Sequence, residues 1–185
     1  MTLTPAPQLI LAMDAAAIAE AIHRMAQEIA ERHSADLANW VIAGIPTRGV
    51  EVARRLVAEI QRTHGAAPEL GVVDISMHRD DLATRSRLTA LETTRLPMDL
   101  NGRPLLLVDD VLFTGRSCRA ALDAVSSFGR PSRIELAALV DRGHRELPIQ
   151  PDYVGQLVAT ERAEKIRVRF ENLDGEADYV KVVKS

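Results

Sequence analysis

Two carboxylates stand side by side at the end of an apolar run in the stretch LLLVDDVLFTGRSCRAAL, Leu105 to Leu122. Asp109 and Asp110 are followed by Val111, Leu112 and Phe113, and then by a short turn of Thr114, Gly115, Arg116 and Ser117. A segment of small residues comes next and reads as a helix. The order strand, turn, helix offers donors to an anion just before a helix N-terminus, where free N–H groups and the helix dipole both favour negative charge. Gly115 lets the backbone come close to a ligand. Thr114 and Ser117 add hydroxyl donors, and Ser117 also reads as the N-cap. The acidic pair cannot bind a phosphate. It suits ribose hydroxyls, each of which donates a hydrogen bond to a carboxylate. One loop thus matches both halves of a ribose 5-phosphate.

Two other nucleotide patterns are missing. The chain has no G-x-x-x-x-G-K-[ST] and no G-x-G-x-x-G, the two glycine-rich signatures of P-loop and dinucleotide sites.

The elements that must position this loop alternate along the chain. Residues 1–13 read as an N-terminal arm. From Asp14, a fair N-cap, the residues Ile18, Ile22, Met25 and Ile29 form one helical stripe. NWVIAGI (Asn39–Ile45) reads as a strand, Thr47, Arg48 and Gly49 as a turn, and Val50–Thr63 as a helix. LGVVDISM (Leu70–Met77) is a second apolar strand. A polar, aperiodic stretch from His78 to Arg95 follows, with Arg79, Asp80 and Asp81 at its start; a loop this long in a compact domain reads as a lid. RIELAALV (Arg133–Val140) is another strand, and three short strand-like pieces close the chain at Val154–Val158, Lys165–Phe170 and Asp178–Val183. Strands alternating with helices predict a mainly parallel α/β sheet. Ligands of such sheets sit beyond the strands' C-terminal ends. The loops at Thr47–Gly49, His78–Asp81, Asp109–Ser117 and Asp141–His144 all follow strands and converge there.

Composition sets the bounds. The 185 residues suit one domain, with Val, Leu, Ile and Ala filling the core because only one Trp, two Tyr and three Phe are present. A net charge of −3 announces no nucleic-acid binder globally. Cys118 is the single cysteine and reads as a small packing residue, so no intrachain disulfide forms. No signal peptide or membrane span is visible, and a reducing cytoplasm is the expectation. None of the five histidines, His23, His33, His64, His78 and His144, pairs with another at metal-ligand spacing.

The stretch VDDVLFTGRSCRAALDAV, with GIPTRG one unit upstream, resembles the phosphoribosyl-pyrophosphate (PRPP) and pyrophosphate loops of type I phosphoribosyltransferases. DISMHRDDL and LVDRGHRELPIQPDYVG narrow the resemblance to one branch of that family, the pyrimidine-operon attenuators that are also uracil phosphoribosyltransferases. The resemblance covers nearly the whole chain. It implies the type I phosphoribosyltransferase fold in one domain, 1–185: a mainly parallel sheet flanked by helices, with a small hood and a flexible lid at 78–95. It implies transfer of ribose 5-phosphate from PRPP to uracil, giving UMP and diphosphate. Asp109, Asp110, Arg48 and Arg79 are then the catalytic residues. Thr47, Arg48 and Gly49 take the diphosphate, Asp109 and Asp110 the ribose, and Val111–Ser117 the 5′-phosphate side. Val140, Asp141 and Arg142 frame uracil. Mg²⁺ enters with PRPP near Asp109 and Asp110, held by substrate and water rather than by a protein cage.

The same resemblance implies uridine-nucleotide-dependent binding (UMP or UTP) to a pyr mRNA leader, on a basic face of a homodimer or higher homo-oligomer. Arg24, Arg32, Arg142 and Arg145 are the cations of that face. Gln27, Gln150 and Gln156 stand where His, Arg and Lys are expected, and His78 where an aromatic ring, usually Tyr, is expected. Each lost cation removes about one phosphate contact, which predicts weak, salt-dependent RNA binding. A regulator with vestigial activity, or an enzyme for another nucleobase, are the alternatives.

Overall fold

A computed structural model describes residues 8–76 and 93–184 of the chain. The elements run β1 (Gln8–Met13), α1 (Ala15–Arg32), β2 (Val41–Gly44), α2 (Arg48–His64), β3 (Glu69–Val72), β4 (Pro104–Leu112), α3 (Arg116–Ser126), β5 (Arg133–Asp141), β6 (Tyr153–Leu157), β7 (Lys165–Arg169), α4 (Glu171–Asp174) and β8 (Tyr179–Lys184), with a short 3₁₀ turn at Leu37–Asn39. Five strands form a parallel sheet in the order β3-β2-β4-β5-β6, and three form a second, antiparallel sheet in the order β1-β8-β7.

The central strand β4 is continuously apolar because both of its faces are covered. Leu106 and Val108 pack with Ile18, Met25 and Ile29 of α1 and Val52 and Leu56 of α2, whereas Leu105 and Leu107 pack with Ala121 and Val125 of α3. Each fully buried Leu or Ile contributes about 1.5–3 kcal/mol, so this double layer fixes β4 more firmly than any polar contact could. The predicted α1 stripe is the buried face, and Asp14 caps the helix by accepting from the Ala17 N–H at 2.8 Å.

Three expectations change. The N-terminal arm holds a strand: Gln8–Met13 pairs antiparallel with β8, a partner at the far end of the sequence. The second apolar strand ends at Val72 rather than Met77, where Val72 exchanges both backbone hydrogen bonds with Arg95, at 2.8 and 2.9 Å. Ser117 is not the N-cap of α3. Gly115 is, with φ +91°, and Ser117 lies inside the first turn.

Register sets the edge on which a site can form. Gly44 of β2 lies level with Val108 of β4, and Leu112 of β4 level with Asp141 of β5. The chain leaves β2 through a cis peptide at Pro46–Thr47 and turns at once into α2. That turn is tight enough that a side-chain carbon on Gly49 would lie 2.6 Å from the Val108 carbonyl oxygen, and one on Gly44 2.3 Å from the Val50 Cα. Replacing Gly49 with Ala therefore pushes α2 off β4. The expected cost is about 1–3 kcal/mol, read as a lower urea midpoint at an unchanged slope.

Candidate active site

The C-terminal ends of β2, β4 and β5 bring three of the predicted loops together. Asp109 is buried, and one of its carboxylate oxygens accepts the Asp110 N–H at 2.9 Å. Asp110, the last carboxylate before the turn, lines a cavity of about 470 Å³ with Arg48 and the residues of β7. Burial pushes the Asp110 carboxyl above its ordinary range, against the hydrogen bond with Asp109 and the nearby Arg48 charge, which both pull it down. Arg48 donates to Asp174 of α4 at 2.6 Å, and its Nε is buried without a hydrogen-bond partner among the described residues. Burial opposes ionisation of Asp174, but the Phe170 N–H and the Arg48 guanidinium outweigh it and hold the carboxyl below its ordinary range.

The turn Thr114–Ser117 leads into α3, whose first-turn N–H groups lack intrahelical acceptors. The segment after β5 braces this turn. The N–H groups of Glu146 and Leu147 donate to the Thr114 carbonyl at 3.0 and 3.2 Å, and Ile149 packs against Gly115. Arg145 donates to the carbonyls of Phe113 and Ile149, at 2.9 and 3.0 Å, and to the Asp141 carboxylate at 2.6 Å. Arg116 turns its side chain outward to Glu146, 2.8 Å away, so it serves the turn through its backbone. Leu112 is buried in the α3-side core, Val111 packs on the opposite core, and only Phe113 of this trio presents its ring near the loops. Cys118 is buried, and its thiol is pushed up to about 12, as an inert packing residue requires.

Of the uracil-framing trio, Val140 is fully buried and Asp141 spends its carboxylate on Arg145 and the Gly143 N–H. Arg142 is 7 % exposed, with its guanidinium 4.1 Å from the centre of the Phe113 ring. It donates to Thr160 Oγ1 at 3.1 Å and to the Glu161 carbonyl at 2.8 Å. Burial lowers its affinity for the proton. Of the cations predicted for the RNA face, Arg142 is buried and donates to Thr160 and Glu161, and Arg145 is half-buried and donates to carbonyls and to Asp141. Arg24 and Arg32 do lie exposed on α1; Arg24 also donates to the Gly155 carbonyl and Arg32 to Glu28. Gln156 is exposed on neighbouring β6, and Gln150 is exposed in the loop before it. Arg79, Asp80, Asp81 and His78 lie outside the described residues, as does the predicted lid apart from Thr93–Arg95.

Sequence reasoning missed the strand KIRVR as part of the site. Lys165, Arg167 and Arg169 alternate along β7 and line the cavity with Arg48 and Asp110. The period-2 pattern of cations between Ile166 and Val168 was the available signal. No group of three or more His, Cys, Asp or Glu spaced to hold a metal occurs among the described residues, and no described helix is long and apolar enough to cross a membrane.

An acidic pair and a donor-rich turn at the end of a central parallel strand, roofed by a small antiparallel sheet, make this the architecture of a phosphoribosyltransferase. Residues 13–170 match the family model described as phosphoribosyl transferase domain. The chain is 47 % identical to the "Bifunctional protein PyrR" of Roseiflexus sp. (strain RS-1), over 94 % of each chain. It is 44 % identical to the protein of that name from Listeria monocytogenes serotype 4b (strain CLIP80459), over 95 % of this chain and 97 % of the relative. The chain thus belongs to the phosphoribosyl transferase family, in the branch whose members are called PyrR. Among solved structures, a hypoxanthine-guanine phosphoribosyltransferase from Bacillus anthracis superposes with a TM-score of 0.71 at 14 % identity, covering 93 % of this chain and 96 % of that one. A hypoxanthine-guanine-xanthine phosphoribosyltransferase superposes at 0.65 and 18 % identity, covering 95 % and 94 %. These two establish the fold.

The raised Asp110 carboxyl yields a signed prediction. A carboxyl whose folded pKa lies above its unfolded value of about 3.8 stabilises the fold only while protonated. Its contribution is complete below the unfolded pKa and is lost as pH rises through the folded one. Asp110→Asn keeps the shape and removes that dependence. The variant should melt at a higher temperature than wild type at pH 7, and the difference should shrink as pH falls towards 4. Thermal scans across that range measure it.

Proposed function

We propose that this protein transfers ribose 5-phosphate from PRPP to N1 of uracil, giving UMP and diphosphate. The observation that carries the reading is Asp109–Asp110 set directly before the braced Thr114–Ser117 turn, with Arg48 across the same cavity. Two carboxylates take the ribose hydroxyls while the turn's N–H and hydroxyl groups take the 5′-phosphate. This holds the anomeric carbon in place as its bond to diphosphate breaks through a cation-like transition state. Thr47, Arg48 and Gly49 receive the diphosphate at the start of α2, with the unsatisfied Arg48 Nε as a donor aimed into a buried environment. Backbone groups of Val140–Arg142 frame the base, on a wall stiffened by the stack of Arg142 on Phe113. Asp110, an oxygen-donor carboxylate lining the cavity, with Asp109 buried behind it, fits Mg²⁺ entering with PRPP. The ion would supply charge neutralisation for the departing diphosphate.

Relatives called bifunctional support a second role, uridine-nucleotide-dependent binding to a pyr mRNA leader by a cytoplasmic homo-oligomer. Its cationic surface is α1, where Arg24 and Arg32 are exposed close to β6.

Two measurements test the pair. With PRPP, Mg²⁺ and a panel of nucleobases, uracil should be the preferred acceptor, and Asp110→Asn should lower kcat/KM at least about a hundredfold without unfolding the protein. Preference for a purine base would redirect the assignment within the family. For RNA, the double variant Gln150→Arg, Gln156→Lys should bind a pyr leader hairpin more tightly and steepen the salt dependence by about two phosphate contacts. An unchanged salt slope would separate those positions from the RNA.

A further inference from the structure

We propose that the hood strand β7 carries a diphosphate subsite formed by Lys165 and Arg167, a proposal that rests on the PRPP reading above. β7 is an outer strand of the antiparallel sheet. Its residues Val168 and, in part, Ile166 pack into the core that also holds α1 and α2. Side chains alternate across a strand, so Lys165, Arg167 and Arg169 share the opposite face, and all three line the cavity that contains Asp110 and Arg48.

The charges on this face are unbalanced. Asp110 lines the cavity with these cations, and Asp174 beside it is already shared by Arg48 at 2.6 Å and Arg169 at 3.5 Å. Lys165 and Arg167 form no ion pair among the described residues. Across the ladder, Arg167 stands directly opposite Lys181 of β8, and like charges in that position destabilise a sheet. Nothing in the packing requires this pair of cations: the face is exposed, and apolar or neutral residues would serve the strand better.

The arrangement becomes favourable when a multiply charged anion enters the cavity. Of the two anionic ends of PRPP, the 5′-phosphate has its own site at Thr114–Ser117, on the turn that does not line this cavity. The diphosphate at the anomeric carbon is the end that meets Arg48 and the hood. Lys165 and Arg167 would then hold the diphosphate from above while Thr47–Gly49 hold it from below, and would stabilise the charge that grows on it as it leaves.

The test uses Lys165→Gln and Arg167→Gln, singly and together, in the full-length protein; both positions are exposed, so folding is preserved. Inorganic diphosphate with Mg²⁺ is titrated directly by calorimetry, UMP is titrated in parallel, and KM for PRPP and for uracil are measured. The double variant should bind diphosphate at least about tenfold more weakly, since charge-assisted hydrogen bonds carry about 1.5–3 kcal/mol each. KM for PRPP should rise, with UMP affinity and KM for uracil unchanged. Unchanged diphosphate affinity overturns the subsite, as does an equal loss for UMP, which would signal a general field rather than a site. Loss of hairpin RNA binding with diphosphate affinity intact would make β7 an RNA surface and also overturns it. If diphosphate binding depends on Arg167 yet wild type forms no UMP, the subsite stands and the uracil reading falls.

Discussion

The site depends on one close approach of backbone to backbone. Residue 49 has no side chain, so the first turn of α2 rests against the Val108 carbonyl of β4. Everything on α2 is thereby referenced to the central strand. Its first residue, Arg48, stands over Asp110. Further along, Arg55 reaches Asp178 and lies 4.5 Å from the centre of the Phe170 ring. With Arg48–Asp174, these contacts tie the hood to the same helix. Glu51, 4 % exposed and paired with Arg54 and Arg55, anchors the arginines from within. Half-buried pairs of this kind add little net stability, but removing one partner strands the other's charge. They work as alignment: one helix sets both the floor and the roof of the cavity.

The second constraint is the brace around the Thr114–Ser117 turn. Arg145 bridges the carbonyls of Phe113 and Ile149 and the Asp141 carboxylate, while Thr114 O receives two N–H groups from residues 146 and 147. If this turn takes a phosphate as proposed, it gains by being held through atoms the ligand does not need. Here it is held largely by carbonyl oxygens, which a phosphate would not need. The cost of ordering the turn would thus be met before such a ligand arrived, which is what preorganisation means in energetic terms.

How much of this was legible in the sequence follows from how local each feature is. The β4 loop could be read because strand, acidic pair, turn and helix are contiguous and each residue type has a local rationale. The α1 stripe and its Asp14 cap were legible for the same reason. The hydrogen-bond partners of Arg142 and Arg145 were not. An arginine in a polar loop reads as a solvent-facing cation, and nothing nearby in the chain announces donors that end on the Glu161 carbonyl, 19 residues from Arg142, or on the Phe113 carbonyl, 32 residues from Arg145. Gln8–Met13 read as an arm because its partner strand is β8. The alternation in KIRVR showed a strand with a cationic face, but not that the face would roof Asp110. That depended on β7 joining a separate sheet, a property of the pairing rather than of the segment.

The hood's composition from β1, β7 and β8 has a consequence for biosynthesis. β1 is made early and finds its hydrogen-bonding partner only once Tyr179–Lys184 has been added. Until then Leu9, Ile10 and Leu11 sit on a strand with no neighbour, the kind of edge that chaperones and aggregation both recognise. The parallel sheet can assemble on the ribosome strand by strand, but the roof over Asp110 cannot. A nascent chain therefore carries the Thr114–Ser117 turn and Asp110 without their roof until the last strand closes the sheet.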